Sequence, residues 1–451
     1  MKIIIVGLGT IGKTVLRNLS KMGHTIVIID DNKSKVETLI EKYDVAGVVG
    51  NGACMEILKE AGTKDADLAI FLTNSDELNV FACLTAKKAG VKNTIARVRN
   101  PDYRQQIQDM KDELGISMIV NPEKETAEEI FNLIALPSIS HMEHFAKGKV
   151  LLAEVVVDEE CSLVGETLIS LGRKLSNRIL VCAVQRGDEI IIPSGTFMFE
   201  VGDRVHFTSG ANSIRDFLAE AKLESSPFKN VMIVGGDKIG YYLAEELSKK
   251  KYKIKLLESD NERAEELAEI LPKVTIIHGN GTQHDLLVEE GIESMDAFVS
   301  LTDIDEENMI ASMFANKMKV RKSITLIKND ELYDMLDELG IENTVSPKRI
   351  VADKIISYIR ALTNKRGSNV LTLYRLVNDN VEALEFAAKK EEKFFNIPLK
   401  NIKTKDNCLI ACIIRENEVI IPNGDAYIKL GDNVIVVTTH KNFDDLKDIL
   451  D

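Results

Sequence analysis

The chain opens on a short apolar run with no polar face, Lys2 to Val6, the pattern of a strand buried on both sides of a parallel sheet. Similar runs recur near Thr25–Ile29, Gly47–Val49, Leu68–Leu72, Thr94–Val98 and Met118–Val120, with helical periodicity between them. That rhythm predicts a doubly wound α/β sheet. A longer helix is expected from Pro122 to Leu136, with Pro122 in its first turn and Pro137 beyond its end. The pattern then changes character. Lys149–Val157, Leu180–Gln185, Ile190–Pro193 and Arg204–Thr208 are short, partly alternating runs broken by Gly-Asp turns, around one helical stretch from Glu166 to Leu175. They predict a small α+β domain with a mainly antiparallel sheet.

The same order then repeats. KIIIVGLGTIG at Lys2 recurs as NVMIVGGDKIG at Asn230, and the strand ending in Asp30 recurs as one ending in Glu258. Gly50-Asn51-Gly52 aligns with Gly279-Asn280-Gly281, and Thr73, Asp76, Glu77 and Asn79 align with Thr302, Asp305, Glu306 and Asn308. Near the end, Gly202-Asp203 aligns with Gly431-Asp432, and the offset stays within a few residues of 228 throughout. A chain with this period is a tandem duplication of a two-domain unit. Its expected parts are 1–138 and 225–365, duplicated Rossmann-like doubly wound parallel sheets, and 139–224 and 366–451, the small α+β domains. The polar stretch from Lys222 to Asn230 is the expected joint between the copies.

Gly7, Gly9 and Gly12 supply G-x-G-x-x-G between the first strand and a helix expected from Lys13 to Met22. In that setting the first glycine makes a tight turn, the second lets backbone approach a pyrophosphate, and the third packs helix on strand. The free N–H groups of the helix start attract an anion. Asp30 ends the second strand, at the distance where a carboxylate meets ribose hydroxyls. The alternative is that the glycines serve tight packing alone.

With 451 residues, a formal charge of −14 and a pI near 5.2, the chain should hold several domains and avoid nucleic acid. No basic amphipathic stretch suggests lipid binding, and no apolar run approaches the ~18–20 residues that span a bilayer. The first residues run straight into a core strand, so no secretion signal is expected. The six cysteines are expected to be reduced, buried small hydrophobes of a cytosolic protein. Cys408 and Cys412, four apart, would share one face of a strand, and His141 and His144 are expected at a surface or interface; neither pair completes a metal site.

These residues together resemble the Trk-type potassium uptake regulators, built from two tandem RCK units. GLGTIG, the strand-end Asp30, FLTNSDELN, ARVRNP, the crossover helix and the small GDRV domain occur in that order, and the resemblance covers essentially the whole chain. It implies a non-catalytic sensor that binds NAD(H), ATP or ADP and, as a homotetrameric ring in the cytoplasm, gates a membrane potassium transporter. Carried over by residue, Gly7, Leu8, Gly9, Thr10, Ile11 and Gly12 would hold the phosphates and Asp30 the ribose. Thr73 and Asn74 would line the pocket, and Arg97 would reach the phosphates through two charge-assisted hydrogen bonds. Asp76, Glu77 and Asn79 are expected to serve capping and subunit contact. The crossover helices carry apolar faces, Ile130, Phe131 and Ile134 in one and Ile355, Ile356 and Ile359 in the other; these pack within their own subunit or, where a face is left over, are covered by a neighbouring unit.

The second cradle, Gly235, Gly236, Asp237, Lys238, Ile239 and Gly240 with Glu258 and Thr302, departs from the first. Asp237 replaces the middle glycine and Leu326 stands where Arg97 stands. Two opposite unit charges ~5 Å apart are worth roughly 3 kcal/mol at an effective dielectric of ~20, so this site should bind weakly or take a less charged ligand. Lys238 and Lys328 could compensate. The rival classes are an NAD-dependent oxidoreductase, for which no proton-donor motif such as Y-x-x-x-K is present, and a regulator of another ion channel or exchanger. Asp30 would repel a 2′-phosphate, so calorimetry should show NADH binding more tightly than NADPH, with Asp30→Ala weakening both. Equal affinities would contradict the role given to Asp30.

Overall fold

The computed structural model describes residues 1–159, 161–174, 179–187, 189–210, 213–223, 227–336, 339–364, 370–376, 380–416, 418–440, 443 and 445–451. The first parallel sheet contains β1 (Lys2–Val6), β2 (Thr25–Asp30), β3 (Ala46–Val49), β4 (Leu68–Phe71), β5 (Asn93–Arg97) and β6 (Met118–Val120). Helices α1 (Thr10–Leu19), α2 (Lys33–Tyr43), α3 (Met55–Glu60), α4 (Asp76–Lys88), α5 (Pro101–Asp109) and α6 (Pro122–Ala135) follow its strands in turn. Its strand order is β3-β2-β1-β4-β5-β6. The order reverses direction between β1 and β4, which opens a crevice at their carboxyl ends. Ile3, Ile4, Ile5, Leu68, Ala69 and Ile70 are fully buried, as runs without a polar face require.

The first antiparallel sheet follows, with β7 (Ile139–Phe145), β8 (Val150–Val156), α7 (Leu168–Lys174), β9 (Leu180–Arg186), β10 (Glu189–Ile191), β11 (Arg204–Gly210) and α8 (Ile214–Glu220), in the order β10-β9-β11-β8-β7. The second copy repeats the parallel sheet as β12 (Asn230–Val234), β13 (Lys253–Glu258), β14 (Thr275–His278), β15 (Ala297–Ser300), β16 (Lys322–Leu326) and β17 (Asn343–Val345), with the same strand order. Its helices are α9 (Lys238–Lys249), α10 (Asn261–Ile270), α11 (His284–Glu289), α12 (Asp305–Lys317), α13 (Tyr333–Leu336) and α14 (Pro347–Asn364). The last sheet holds β18 (Val370–Leu376), β19 (Val381–Ala387), β20 (Cys408–Arg415), β21 (Glu418–Ile420) and β22 (Asn433–Thr438). The fold class read from the sequence is therefore present twice.

The chain divides into two compact units that pair like with like. One contains Met1–Phe131 and Lys229–Ile356, the two parallel sheets; the other contains Asn132–Phe228 and Ser357–Asp451, the two antiparallel sheets. In the first unit Arg17 on α1 meets Asp330 at 3.2 Å, and Lys354 on α14 meets Glu125 on α6 at 2.7 Å. In the second, Leu152, Cys182 and Ala183 of one sheet share a core with Ala383, Ala411, Cys412 and Val437 of the other. Thr208 donates across it to Ala411 O at 3.1 Å.

Ile130, Ile134, Ile355, Ile356 and Ile359 are all buried within the single chain, so these crossover positions need no neighbour to cover them. Cys54 is exposed and Cys408 half-buried, while the other four cysteines are buried, and all six are free. A bulge between Ile410 and Cys412 turns Cys408 and Cys412 to opposite faces of β20, where they join different cores. The side chains of His141 and His144, and residues 224–226 of the expected joint, lie outside what is described; β7 itself is a strand that its polar Ser-His-Met-Glu-His sequence does not announce.

The Gly-Asp turns have a common cause. Gly202 and Gly431 sit at φ of +91° and +92°, and each delivers a buried aspartate to an arginine. Asp203 binds Arg186 with two contacts of 2.7 and 2.8 Å, and Asp432 binds Arg415 at 3.0 and 2.8 Å. Burial pushes the Asp203 carboxyl up, but Arg186 and the Glu200 N–H outweigh it and hold its pKa below the usual aspartate range. The stability this carboxylate contributes is therefore complete above the ordinary aspartate pKa and lost as pH falls through its lowered value. Asp203→Asn should lower Tm by several degrees at pH 7, and the gap to the parent should shrink in acid, measured by calorimetry.

Candidate functional site

At the crevice, the three glycines of the first copy prove to have different causes. Gly7 has φ of +90°, and a Cβ there would lie 2.8 Å from the Leu72 carbonyl carbon and the Thr73 nitrogen. A Cβ on Gly12 would lie 2.1 Å from Gly7 O. Both are dictated by packing. Gly9 is different: it starts α1 with φ of −72°, open to any residue, and a Cβ there would meet nothing within 4 Å. Helix α1 has no side-chain cap, so its first N–H groups face that same open space. Thr10 is exposed at its first turn, while Leu8 and Ile11 are buried and carry only backbone to the site.

Asp30 braces this loop. Its Oδ2 accepts from Leu8 N at 2.7 Å and its Oδ1 from Asn32 N at 3.0 Å, with Lys35 Nζ 3.8 Å away. Each carboxylate oxygen keeps acceptor capacity beyond these bonds. Glu258 repeats the arrangement, accepting from Gly236 N at 2.7 Å and Asp260 N at 2.8 Å.

The opposite wall depends on Asn79, which is fully buried. Its Oδ1 accepts from Thr73 N at 3.0 Å and Thr73 Oγ1 at 2.7 Å, and its Nδ2 donates to Thr73 O at 3.1 Å and Arg97 O at 3.0 Å. One amide thus ties the end of β4 to the end of β5. Asn308 repeats three of these bonds, to Thr302 N, Thr302 O and Leu326 O at 2.8 to 3.1 Å, while Thr302 Oγ1 donates to Ile304 O at 3.1 Å. Asp76, also buried, accepts from Arg99 N at 2.7 Å and Asn100 N at 2.8 Å, so it pins the loop after β5; Asp305 does the same for Lys328 and Asn329. The cap of α4 is Ser75, whose Oγ accepts from Leu78 N at 3.1 Å. Asp76 and Asn79 are thus loop scaffolds and not caps, a role visible in the sequence only as their recurrence in both copies.

Arg97 reaches this wall from β5. Its NH2 donates to Thr73 O and, at 3.1 Å, to the side chain of the exposed Asn74. Both acceptors are uncharged, and the buried Nε has no hydrogen-bond partner. Burial and the neighbouring Arg99 charge push its pKa down, against Glu123 and Asp76. Arg99 engages those carboxylates itself, Glu123 at 3.4 Å and Asp76 at 4.0 Å. Gly7 thus packs on the Leu72–Thr73 peptide, Arg97 reaches Thr73 and Asn74, and Asp30 holds the loop at Leu8, which gathers these residues at the carboxyl ends of the central strands. This arrangement offers an anion a helix start and a guanidinium that has no ion-pair partner among the described residues.

In the second copy Gly235 and Gly240 keep the packing roles of Gly7 and Gly12, with φ of +103° and a Cβ clash of 2.1 Å respectively. Asp237 starts α9 at φ of −64°, exposed and with no side-chain cap bond. Leu326 is buried in place of Arg97. Lys238 is half-buried at the helix start, and Lys328 is drawn to Asp303 at 2.6 Å.

A model described as the TrkA-N domain matches residues 3–122 and 231–347, and one described as the TrkA-C domain matches residues 152–222 and 383–451. The chain belongs to the TrkA family. It is 32% identical over 444 residues to Trk system potassium uptake protein TrkA homolog 1 of Methanosarcina mazei, covering 97% of each chain. Against Trk system potassium uptake protein TrkA of Vibrio alginolyticus it is 31% identical over 447 residues, 98% of this chain and 97% of that one. Among solved structures, the GsuK RCK domain has a TM-score of 0.64 at 17% identity, covering 97% of this chain and 92% of that one. The GsuK channel bound to NAD also gives 0.64 at 17%, over 97% and 76%. These likenesses place the TrkA-family chain in the tandem RCK fold.

The scaffold role of Asn79 is directly testable. Asn79→Leu keeps the volume but strands the Thr73 N–H and the Arg97 carbonyl, at ~1–3 kcal/mol each, while Thr73 O keeps its bond from Arg97. Thermal melts of the full chain should show a first transition lowered by several degrees; an unchanged melt would contradict this role.

Proposed function

We propose that this chain is a nucleotide-sensing regulatory subunit that gates a Trk-type membrane potassium transporter. The observation that carries the reading is Gly9. Packing requires its two companion glycines, whereas a side chain at Gly9 would meet open space before the α1 N-terminus, so a ligand passing there accounts for it. Arg97, with its unpartnered Nε, supports an anionic ligand. The names of TrkA relatives point to potassium uptake, and the NAD-bound GsuK channel supports a dinucleotide ligand.

In this reading NAD(H), ATP or ADP lies over Gly7 to Gly12, with ribose on Asp30 and phosphate on Arg97, beside Thr73 and Asn74. The nucleotide is a ligand that is not turned over. The second cradle binds weakly, because Asp237 adds a negative charge and Leu326 removes a positive one. The four domains are those delimited in the sequence, and the protein sits in the cytoplasm under its transporter. No helix among the described residues is long and apolar enough to cross a membrane.

The chain assembles as a homotetrameric ring through the α4 face. Phe81 is 58% exposed beside an apolar groove formed with Val80, Leu84, Ile107 and Leu114, and its counterpart Ile310 is 53% exposed. Moving a ring from 1:99 to 99:1 needs about 5.5 kcal/mol, or roughly 1.4 kcal/mol at each of four first-copy sites. Arg97 can supply that difference by engaging phosphate in one arrangement of the ring and Asn74 in the other.

The test is a titration paired with flux measurement in proteoliposomes holding a Trk transporter. One tight nucleotide site per chain, and nucleotide-dependent potassium flux, are expected. Gly9→Asp should abolish both while the tetramer and its transporter complex persist. Asp237→Gly with Leu326→Arg should raise occupancy of the second site. Two equal tight sites in the parent chain, or flux indifferent to nucleotide, would overturn the proposal.

A further inference from the structure

We propose that Tyr242, carried by the second copy on α9, is a positioning residue for the nucleotide site of the first copy. The inference rests on the reading of that site as a phosphate-binding cradle. Tyr242 is buried, and its hydroxyl donates to Arg99 O at 3.2 Å. The same carbonyl accepts from Asn121 Nδ2 at 3.4 Å, and that nitrogen also lies 3.4 Å from the tyrosine oxygen. Asn121 is itself 1% exposed and accepts from Lys124 N at 2.9 Å at the start of α6.

This completes the hold on the segment that carries Arg97. Asn79 takes Arg97 O, Asp76 takes the N–H groups of Arg99 and Asn100, and Tyr242 with Asn121 takes Arg99 O. Three of these anchors come from the first copy; the fourth comes from the helix that begins at the second copy's altered cradle. The reciprocal contact is not built. Thr14 occupies the position of Tyr242 in the first copy, and its hydroxyl turns back to Thr10 O at 3.0 Å on its own helix. Ser346, in the place of Asn121, leaves its buried Oγ with no hydrogen-bond partner among the described residues. The brace therefore exists only on the side that holds an arginine. Where Leu326 replaces it, the brace is absent as well. The second copy, poor as a phosphate site, thereby acts as a fixed support for the first, and it sets the angle from which Arg97 meets a phosphate.

Calorimetry on the full chain with ADP and with adenosine tests this. Tyr242→Phe keeps the ring and removes only the donor. Loss of one such bond should weaken ADP binding by about threefold to tenfold while adenosine, which has no phosphate, changes by less than about twofold. In an Arg97→Ala background, Tyr242→Phe should cause no further loss, because it acts through Arg97. Unchanged ADP affinity in Tyr242→Phe, an equal loss for adenosine, or additive losses in the double variant would each overturn the proposal, and the last two would assign Tyr242 to general packing. Failure of the parent chain to bind ADP is a separate result, visible before any substitution, and would remove the nucleotide reading itself.

Discussion

A single buried amide holds the crevice together. Asn79 satisfies both polar groups of the Thr73 backbone and the Arg97 carbonyl, so the ends of β4 and β5 cannot drift apart without stranding several hydrogen bonds away from water. Gly7 packs directly against the Leu72–Thr73 peptide, so the glycine loop inherits its position from the same amide. Arg97 donates to Thr73 O, which this network fixes, and to the side-chain oxygen of Asn74. Asn308 repeats the three bonds to backbone in the second copy, where leucine replaces the arginine. The network is therefore a property of the fold, and the charge placed on it is the variable part.

Much of the architecture was legible because strands buried on both faces leave long apolar runs and because the pattern repeats. The strand ranges in the first parallel sheet follow the apolar runs to within a residue or two. Strand β7 is not legible because its histidines and glutamate give no apolar period, and the opposite facing of Cys408 and Cys412 depends on a bulge that spacing cannot show. The glycines were recognised as a group, but only coordinates separate Gly7 and Gly12, required by packing, from Gly9. Apolar stripes misled in another way. Ile130, Ile355 and Ile359 and the surface residues Phe81 and Ile310 look alike in sequence, and tertiary packing alone decides which remain uncovered.

Duplication gave the two copies room to diverge. Both keep the loop-pinning aspartates, the amide and the strand-end acid, all of which the fold itself needs. They differ at Gly9 against Asp237, Arg97 against Leu326 and Thr14 against Tyr242, positions that touch the open cradle or the partner copy. A protein that needed two equal ligand sites would keep these positions matched. Here the changes all run in one direction, toward one charged, braced cradle and one supporting copy.

The central claim is that an anionic nucleotide lies over Gly9 and against Arg97, and that Asp237 excludes it from the second cradle. An experimental structure of the full chain with saturating ADP tests this most directly. The account predicts a diphosphate at the start of α1, with Arg97 Nε directed to it, and no diphosphate at the start of α9. A diphosphate lying over Asp237, or a bound nucleotide that leaves Gly9 and Arg97 untouched, would contradict it.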